Sequence, residues 1–487
     1  MGEADIRQLA AEIRDVVGPQ GLIERPEQLR VYDADGLTVF RQLPALVALP
    51  GTAEEVQGVV RLCHRHGVPF VPRGSGTGLS GGALPVEGGV VIGLSRLNHI
   101  LEVDIPNQRA VVEPGVLNLW VTQRVAPQGY YYAPDPSSQQ VCSIGGNVAE
   151  NSGGAHCLKY GFTVNHVLGM EVVLPDGEMV QLGGAALDAP GYDLPGIFVG
   201  SEGMLGIATK IILRIVRKPE AVKLTLASFA HTDAAGEAVS GIIGAGIIPA
   251  AVEMMDHLAI EACEAATHAG YPLDVGAVLL VELDGHQTEV AKQQEQVEAI
   301  CRRAGALELR IARDDEERAL MWKGRKAAFA AMGRVSPNYI VQDGVIPRTT
   351  LPEVLREIAA LSERYGLRVA NVFHAGDGNL HPLVLYDERD EGAYERAEHL
   401  AGDILKACVA HGGSLTGEHG IGVEKQPYMP VMFSQADMDT HQLVRCAFNP
   451  LHLCNPNKVY PTPRLCGETP GKYVPHPLEL AGVAERF

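Results

Sequence analysis

The chain has 487 residues, more than one hydrophobic core can organise, because single cores stop growing near roughly 250 to 300 residues. With 40 basic and 59 acidic side chains, its formal net charge of −19 repels nucleic-acid phosphates and anionic lipid headgroups. Hydrophobic residues make up 46% and charged residues 20%, a balance typical of chains that fold throughout. We therefore expect roughly two or three folded domains and no nucleic-acid partner.

Membrane and cysteine features narrow the class of protein further. No apolar run approaches the roughly 20 residues that span a bilayer. MGEADIRQLAAEIRDVV is typical of an acidic amphipathic helix and not of a secretory leader, so we expect a cytoplasmic protein without a membrane span. The nine cysteines never form CxxC, which argues against a disulfide framework and against cysteine-ligated iron–sulfur clusters.

The first part of the chain begins with a βαβ pattern and then becomes rich in strands. Residues 43–51 predict a strand and turn, 52–67 a helix capped by Thr52, and 68–72 a second strand. Strands dominate the prediction up to about 219, where Pro219 marks the predicted domain boundary.

From residue 220 onward the sequence alternates helical periodicity with short strands. The end of the chain predicts a helix around 435–447, followed by a proline-rich tail that returns to the first domain. The fold class is therefore α+β. Strong helical patterns occur at 289–305, 314–333 and 350–366. The predicted domains are 1–219, 220–425 and 426–487.

Glycines are concentrated between residues 74 and 206, a distribution that suggests backbone lying close to a ligand. PRGSGTGLSGG (72–82) contains G-x-G-x-x-G, but a strand follows where a dinucleotide fingerprint requires a helix, and no GK[ST] completes a P-loop. Such a strand–loop–strand can aim backbone N–H groups at a pyrophosphate. Further glycines beside Ser, Asn or Asp favour a long phosphate-containing ligand over a glycine-rich hairpin without one. They lie in 134–161, 172–180 and 198–209.

A group of histidines and one carboxylate follows in the second part. RVANVFHAGDGNLHPLVLYD predicts two strands joined by a turn at AGDGNL, which brings His374 and His381 together. GGSLTGEHGIGVEK presents Glu418 and His419 in another glycine-rich loop. Two imidazoles and one carboxylate suit Zn²⁺, Mn²⁺ or Fe²⁺ with coordination positions left open. The alternative is that each histidine makes only local hydrogen bonds.

The segment MWKGRKAAF predicts a helix that carries three basic residues. We interpret Lys323 and Lys326 as a solvated face. The planar fork of Arg325 suits a substrate carboxylate, although periodicity alone favours neither this role nor a solvated one.

The motifs PRGSGTGLSGG, SIGGNVAENSGG, FVGSEGMLGI, FHAGDGNLHP and GEHGIGVEK, in this order, resemble the vanillyl-alcohol-oxidase (PCMH) type of flavoproteins. That type includes D-lactate and D-2-hydroxyglutarate dehydrogenases. HAGDGNLHP with GEHGIG resembles its 2-hydroxyacid branch, and GRKAAFAAMGRVSPNYIVQDGVIP resembles the FAD-binding subunits of bacterial glycolate oxidases. The resemblance spans residues 15 to 480 and implies a PCMH-type FAD-binding domain with its core at 43–217. It also implies a metal-bearing cap domain and a C-terminal segment that packs back on the FAD domain.

The resemblance also implies the cofactors and the residues that hold them. No histidine or cysteine stands at a covalent attachment position in the first glycine loop, so non-covalent FAD is implied. A divalent metal, Zn²⁺ or Mn²⁺/Fe²⁺, is implied at His374, His381 and Glu418, with Arg325 holding the substrate carboxylate and His419 accepting a proton. The implied FAD-binding residues are Pro72, Arg73, Gly74, Ser75, Gly76, Thr77, Gly78, Ser80, Gly81, Gly82, Pro134, Asp135, Ser137, Ser143, Ile144, Gly145, Gly146, Asn147, Asn151, Ser152, Gly153, Gly154, Glu202, Gly206, Ile207 and Asn455.

Two departures from the family pattern concern the substrate. Hydroxyglutarate enzymes carry a lysine where this chain has Val341 and an asparagine where it has Leu383. Those polar groups serve a second carboxylate, so a small monocarboxylate is implied. The resulting hypothesis is hydride transfer to FAD from glycolate, giving glyoxylate, or from D-lactate, giving pyruvate. The alternatives are a D-lactate dehydrogenase that works as a single polypeptide, a nucleotide-binding reductase on the same flavin fold, and a non-catalytic metal-binding scaffold subunit.

Reduced flavin must pass its electrons on, and the scattered cysteines cannot hold an iron–sulfur relay. The resemblance therefore implies a second flavin-binding subunit and an iron–sulfur subunit. Through them the protein would sit peripherally at the inner membrane. Direct use of oxygen or a soluble acceptor is the alternative.

Overall fold

The computed structural model describes residues 3–186, 191–461 and 466. The rest of the predicted proline-rich tail lies outside these residues. Cys466 forms a disulfide with Cys446, a single bridge that the cysteine spacing did not indicate. The other seven cysteines, all within the described ranges, are buried thiols.

The first part of the protein combines seven helices with eleven strands in its described residues. The helices are α1 (Glu3–Val17), α2 (Pro26–Leu29), α3 (Ala53–His66), α4 (Asn118–Val125), α5 (Ile144–Glu150), α6 (Cys157–Tyr160) and α7 (Leu194–Phe198). The strands are β1 (Leu22–Ile23), β2 (Leu46–Ala48), β3 (Phe70–Arg73), β4 (Val90–Gly93), β5 (Ile100–Asp104), β6 (Arg109–Val112), β7 (Tyr130–Tyr131), β8 (Val167–Val173), β9 (Met179–Gly183), β10 (Ile207–Arg214) and β11 (Val216–Arg217).

These strands form a four-stranded sheet in the order β1-β2-β4-β3 and a five-stranded sheet in the order β5-β6-β10-β8-β9, while β11 pairs with β7. The predicted βαβ beginning is confirmed, because β2 and β3 both run parallel to β4. Thr52 caps α3 as predicted, accepting the backbone N–H of Glu55, and the helix ends at left-handed Gly67. Helix α3 buries Val56, Val59 and Val60 against the four-stranded sheet, at the spacing of one helical face.

The glycine-rich stretch 134–161 contains a helix that the sequence did not predict. Residues 144–150 form the short helix α5, and Ser143 precedes it in extended conformation. Gly145 and Gly146 lie in its first turn, where low helix propensity hid the helix from sequence analysis.

The second part contains the remaining strands and helices. Its strands are β12 (Ala221–Phe229), β13 (Ala251–Asp256), β14 (Ala277–Gly285), β15 (Ala306–Ile311), β16 (Asn338–Val341), β17 (Gly344–Val345), β18 (Val369–His374) and β19 (Asn379–Tyr386). Its helices are α8 (Thr232–Gly244), α9 (His257–Thr267), α10 (Gln287–Arg303), α11 (Asp315–Lys326), α12 (Ala328–Met332), α13 (Leu351–Tyr365), α14 (Ala393–Ala410), α15 (Met429–Met432) and α16 (Gln435–Phe448).

The eight strands of the second part form one sheet in the order β15-β12-β14-β13-β18-β19-β16, with β17 pairing to β19. Separate hydrophobic clusters cover its two faces. Alternate residues of β14 show this division, because Leu279 and Val281 join one cluster while Val278 and Leu280 join the other. The predicted helices at 289–305 and 350–366 are confirmed within one or two residues, whereas the predicted helix 314–333 is divided at Ala327 into α11 and α12. The α+β class is confirmed.

The C-terminal segment contacts the first sheet. Cys454 forms a parallel bridge with Phe70 of β3, and the backbone N–H of Asn455 donates to the Phe70 carbonyl at 2.8 Å. The division into three domains at 219 and 425 remains a prediction. Within the residues that the structure describes, no helix has the length and apolar character needed to cross a membrane.

Candidate active site

A cavity of about 400 Å³ lies where the glycine loops of the first part meet α11, α12 and the GEHG loop of the second part. Lys326, Phe329 and Ala330 form one wall, and Glu418 with His419 closes another. The remaining wall comes mostly from small residues of 72–83, 136–152 and 201–208, together with Leu94 and Phe198. The cavity therefore joins the two halves of the protein.

Most of the residues implied to bind FAD line this cavity. They are Pro72, Gly74, Ser75, Gly76, Thr77, Gly78, Gly82, Ser137, Ser143, Gly145, Gly146, Asn147, Ser152, Glu202, Gly206 and Ile207. The loops interlock closely, because a Cβ on Gly74 would collide with the Ser143 hydroxyl, which accepts the Ser75 N–H at 3.2 Å. These loops form a preorganised polar cradle.

Other implied FAD residues lie behind the cavity wall instead of on it. They are Arg73, Ser80, Gly81, Pro134, Asp135, Ile144, Asn151, Gly153, Gly154 and Asn455. Several support the loops: Asn455 donates its side-chain amide to the carbonyls of Gly82 and Glu202. Arg73 lies over the Tyr32 ring, and Pro134 accepts the Asn118 amide.

Polar atoms at the cavity are left ready for a ligand. Among the described residues, Glu150 Oε2 and Ser201 Oγ are buried without a hydrogen-bond partner, and both side chains line the cavity. Burial, together with the charges of Glu202 and Asp35, raises the pKa of Glu150 well above its usual value. The raised pKa favours the protonated carboxyl, which can donate as well as accept a hydrogen bond. Serine, threonine and backbone donors beside this carboxyl fit the ribityl chain and phosphates of FAD.

The predicted hairpin brings His374 and His381 together. His374 ends β18 and His381 lies in β19, with their ring centroids 5.0 Å apart. Glu418 Oε1 lies 3.3 Å from His374 Nε2 and 3.4 Å from His381 Nε2. Their ligand atoms all lie within 4.8 Å of one another, a spacing that one metal ion can span.

The charges around the three residues favour a cation. Burial alone would raise the pKa of Glu418, but His374 and His381 lower it to about 2, so the carboxylate is ionised. Burial alone would lower the pKa of His374, but Glu253 and Glu418 raise it well above its usual value. These carboxylates therefore stabilise an imidazolium at His374, and a divalent cation bound between the imidazoles and Glu418 would take the place of that proton.

A second group, Asp343, His381 and His419, also brings its ligand atoms within 4.8 Å of one another. Asp343 is completely buried, and its carboxylate already accepts from the Thr416 hydroxyl, three successive backbone N–H groups beginning at Gly417, and Lys425 Nζ. His381 Nε2 also lies 3.3 Å from Asp343 Oδ1, and we interpret Asp343, with so many donors, as the carboxylate that orders this loop. Asp343 and Lys425 were both missed in the sequence.

Residues of the first part also hold the GEHG loop (417–420) in place. Glu202 accepts the backbone N–H groups of Ile421 and Gly422, each at 2.7 Å. Gly422 has a φ of +53°, and a Cβ there would collide with the Ser80 carbonyl oxygen. The closely packed loop fixes Glu418 and His419 at the cavity wall.

His419 is suited to accept a proton. Burial lowers its pKa to about 4, so the imidazole is neutral near pH 7. Its ring stacks on His381 with the centroids 4.9 Å apart and the planes 2° from parallel. In the described part of the sequence its Nδ1 has no hydrogen-bond partner. The ring is therefore fixed in position while a nitrogen remains free.

Arg325 and Lys326 are placed differently from each other. Arg325 is 3% exposed, is not among the residues lining the cavity, and lies with Nη2 2.5 Å from Glu253 Oε2. This ion pair lacks hydrogen-bond geometry, since Arg325 Nη2 and Nε and Glu253 Oε2 are all without a hydrogen-bond partner within the described ranges. Lys326, interpreted as solvated, instead lines the cavity and pairs with Asp135 at 3.2 Å, so that interpretation was wrong. Lys323 is exposed, as expected.

Comparison with known proteins adds independent findings. Residues 44–183 match the FAD binding domain family, and 218–459 match the FAD linked oxidases, C-terminal domain. The chain is 50% identical over 474 residues to the glycolate oxidase subunit GlcD of Escherichia coli (strain K12), covering 97% of this chain and 95% of that protein. The GlcD of Bacillus subtilis (strain 168) is 38% identical, with 93% and 97% covered.

More distant proteins share the fold. D-lactate dehydrogenase of Anaerostipes hadrus is 30% identical, with 91% of this chain and 95% of that protein covered. The solved 4-ethylphenol oxidase from Gulosibacter chungangensis has a TM-score of 0.78 at 19% identity, with 95% and 98% covered. That similarity supports the PCMH-type architecture. The chain therefore belongs to the FAD-linked oxidases with an N-terminal FAD-binding domain, in the group that contains the glycolate oxidase GlcD subunits.

Proposed function

We propose that this protein oxidises a small 2-hydroxyacid, glycolate first and D-lactate second, with FAD and a divalent metal. One observation carries the proposal. Two side chains line the cavity together: Glu418, which belongs to the group with His374 and His381, and the neutral imidazole of His419. A metal, a base and a flavin cradle thus share one space. The GlcD relatives, glycolate oxidase subunits by name, support the choice of glycolate.

His374, His381 and Glu418 would hold the metal, leaving coordination positions for the substrate. The ion would supply positive charge that lowers the pKa of the α-hydroxyl. Glu418, ionised by its histidine neighbours, contributes the negative ligand. The metal's identity follows from the ligand set only as far as Zn²⁺ or Mn²⁺/Fe²⁺.

The glycine-loop cradle would hold FAD without a covalent bond. FAD would supply the acceptor for the hydride and its two electrons. Ser75, Ser143 and Asn147 offer hydrogen bonds at the cavity wall, and the buried oxygens of Glu150 and Ser201 add further ones.

The protein's own groups would divide the remaining chemistry. His419 would take the hydroxyl proton while the Cα hydrogen leaves as hydride, converting the alcohol to a carbonyl. Arg325 would bind the substrate carboxylate through donors that Glu253 does not use. Fixed positions for both groups reduce the entropy lost in reaching the transition state.

A residue pair on β16 and β19 favours a small substrate. Val341 and Leu383 are directly opposed in the antiparallel register. Both side chains are apolar and Leu383 is fully buried, so neither offers a hydrogen-bond partner to a second carboxylate. Glycolate and D-lactate need no such partner.

We also propose that the protein works as one subunit of a larger oxidase, with a second flavin-binding subunit and an iron–sulfur subunit. Seven of the described cysteines are buried thiols spread over the fold, and two form a disulfide. This distribution offers no cluster site in the described residues. Attachment to the inner membrane would then come through the partners.

The proposal is tested by dye reduction with the purified protein over a panel of 2-hydroxyacids. Glycolate should give the highest kcat/KM, D-lactate the next, and D-2-hydroxyglutarate little turnover. Acid precipitation should release the yellow colour into the supernatant. Lack of turnover with every 2-hydroxyacid by a flavin-loaded, metal-replete protein would reject the proposed function, and colour retained in the pellet would reject non-covalent binding.

A further inference from the structure

Glu253 is a buried acid among the apolar residues of β13, three residues before the strand ends at Asp256. It lies in β13 within AAVEMMD and is 1% exposed, between Val252 and Met254 that are also buried. An ionised carboxylate at such a position is costly unless it is paired with compensating charges or donors. Its presence therefore requires specific partners.

The partners of Glu253 come from two other elements. His374 stands directly opposite it in the antiparallel register of β13 and β18, and His374 Nδ1 lies 2.7 Å from Glu253 Oε1. Its other oxygen, Oε2, lies 2.5 Å from Nη2 of Arg325, which α11 contributes. One carboxylate thus contacts a group we assign to the metal and a group we assign to the substrate.

Each contact constrains the direction in which a functional atom points. A hydrogen bond from Nδ1–H to Glu253 leaves His374 Nε2 directed at Glu418, 3.3 Å away, where a metal would be bound. The ion pair at Nη2 holds the Arg325 guanidinium against Glu253, while neither Nη2 nor Nε has a hydrogen-bond partner in the described structure. The two orientations depend on the same side chain.

We propose that Glu253 is a positioning residue that sets His374 for the metal and Arg325 for the substrate carboxylate, and so couples metal binding to substrate binding. This inference rests on the proposed function. It predicts that the two affinities change together when Glu253 is altered, which a residue that only stabilises the sheet would not cause.

The test compares Glu253→Gln, Glu253→Asp and a matched control, Glu282→Gln, in the flavin-loaded protein. Glu282 is also a buried carboxylate, on the neighbouring strand β14, and it contacts a different histidine, His156, at 3.1 Å. Dissociation constants for Zn²⁺ and Mn²⁺ are measured by competition with a chelator, and KM and kcat for glycolate are measured separately at saturating metal.

Glu253→Gln should weaken metal binding by roughly tenfold to a hundredfold, the usual effect of losing a hydrogen-bond partner behind a metal-bound histidine. KM for glycolate should rise even when the metal is saturating, because Arg325 is no longer oriented. Glu253→Asp should recover part of both losses, and Glu282→Gln should leave the metal affinity at the wild-type value. If Glu253→Gln fails to bind flavin or to fold, the comparison of Glu253→Asp with Glu282→Gln decides.

The outcomes separate this inference from the proposed function. A wild-type protein that binds no divalent metal, or that oxidises no 2-hydroxyacid, removes the function, and the inference with it. A wild-type protein that does both, beside Glu253 variants with unchanged metal affinity and KM, overturns the positioning role alone. Equal loss of metal affinity in Glu282→Gln also overturns it, since the effect would then be general to the sheet.

Discussion

The imidazole of His419 is kept neutral by its surroundings, because burial lowers its pKa to about 4. A base with that pKa stays unprotonated well below the ordinary histidine range. We predict that the acid limb of kcat/KM for glycolate falls near pH 4 to 5, and not near pH 6.5. A pH–rate profile of the free enzyme measures this directly. An acid limb centred near 6.5 would show that His419 is not the base, or that it is solvated in the working enzyme.

In our proposal, Arg325 differs from the lysines beside it because its guanidinium would contact two partners, Glu253 and the substrate carboxylate. With Nη2 occupied by Glu253, a point ammonium at this position cannot contact both Glu253 and a substrate carboxylate. Arg325→Lys should therefore lower kcat/KM on the order of a hundredfold, about 2.7 kcal/mol of transition-state binding. Arg318→Lys, on the same helix, is the matched control and should keep wild-type kinetics. Wild-type kinetics in Arg325→Lys would remove the carboxylate role.

At the scale of elements, ion pairs join the two halves of the protein beside the cavity. His156, from the first part, has Nδ1 3.0 Å from Asp135 and Nε2 3.1 Å from Glu282 of β14. Burial alone would lower its pKa, but Asp135 and Glu282 raise it to about 10. The imidazolium therefore links loop 134–137 to the large sheet.

This pKa gives a stability prediction with a definite sign. A histidine whose folded pKa is raised stabilises the fold fully below pH 6.5, and the stabilisation disappears as the pH rises through about 10. His156→Gln should lower Tm most below pH 6.5, and the difference from wild type should narrow towards pH 10. His99→Gln, in an exposed pair with Glu113, serves as the control for losing a histidine. A His156→Gln difference independent of pH would contradict the charged pair.

Most of the correct predictions came from short-range sequence patterns. Contacts between residues far apart in the sequence could not be predicted. The AGDGNL turn and the glycine loop around Glu418 are short-range patterns, so the triad of ligand atoms could be proposed from the sequence. Glu253 and its partner His374 are 121 residues apart, and no periodicity links them. Lys326 was misjudged because helical periodicity shows which residues share a face but not which loop covers it. The only hint of Glu253 was an acid among apolar residues.

At the scale of the whole molecule, the described residues offer no iron–sulfur site through which electrons could leave a reduced flavin. The described cysteines are buried thiols apart from one disulfide, and the formal charge of −19 favours basic or charge-compensated partners over nucleic acid. We predict that a pull-down from the native cells recovers a second flavin-binding subunit and an iron–sulfur protein. The isolated protein should reduce dyes but not quinones. Quinone-linked turnover by the single purified polypeptide would contradict the multi-subunit proposal.

The central claim is that metal, base and flavin act on one 2-hydroxyacid in one cavity. The most direct measurement is the visible absorbance of the bound flavin when glycolate is added without oxygen. We predict that glycolate bleaches the flavin band of the wild-type protein. The band should stay unchanged in His381→Ala and after chelation, with flavin still bound, because the hydroxyl is then not activated. Bleaching that is equally fast without metal, or no bleaching by glycolate or D-lactate in the metal-replete wild type, would contradict this mechanism.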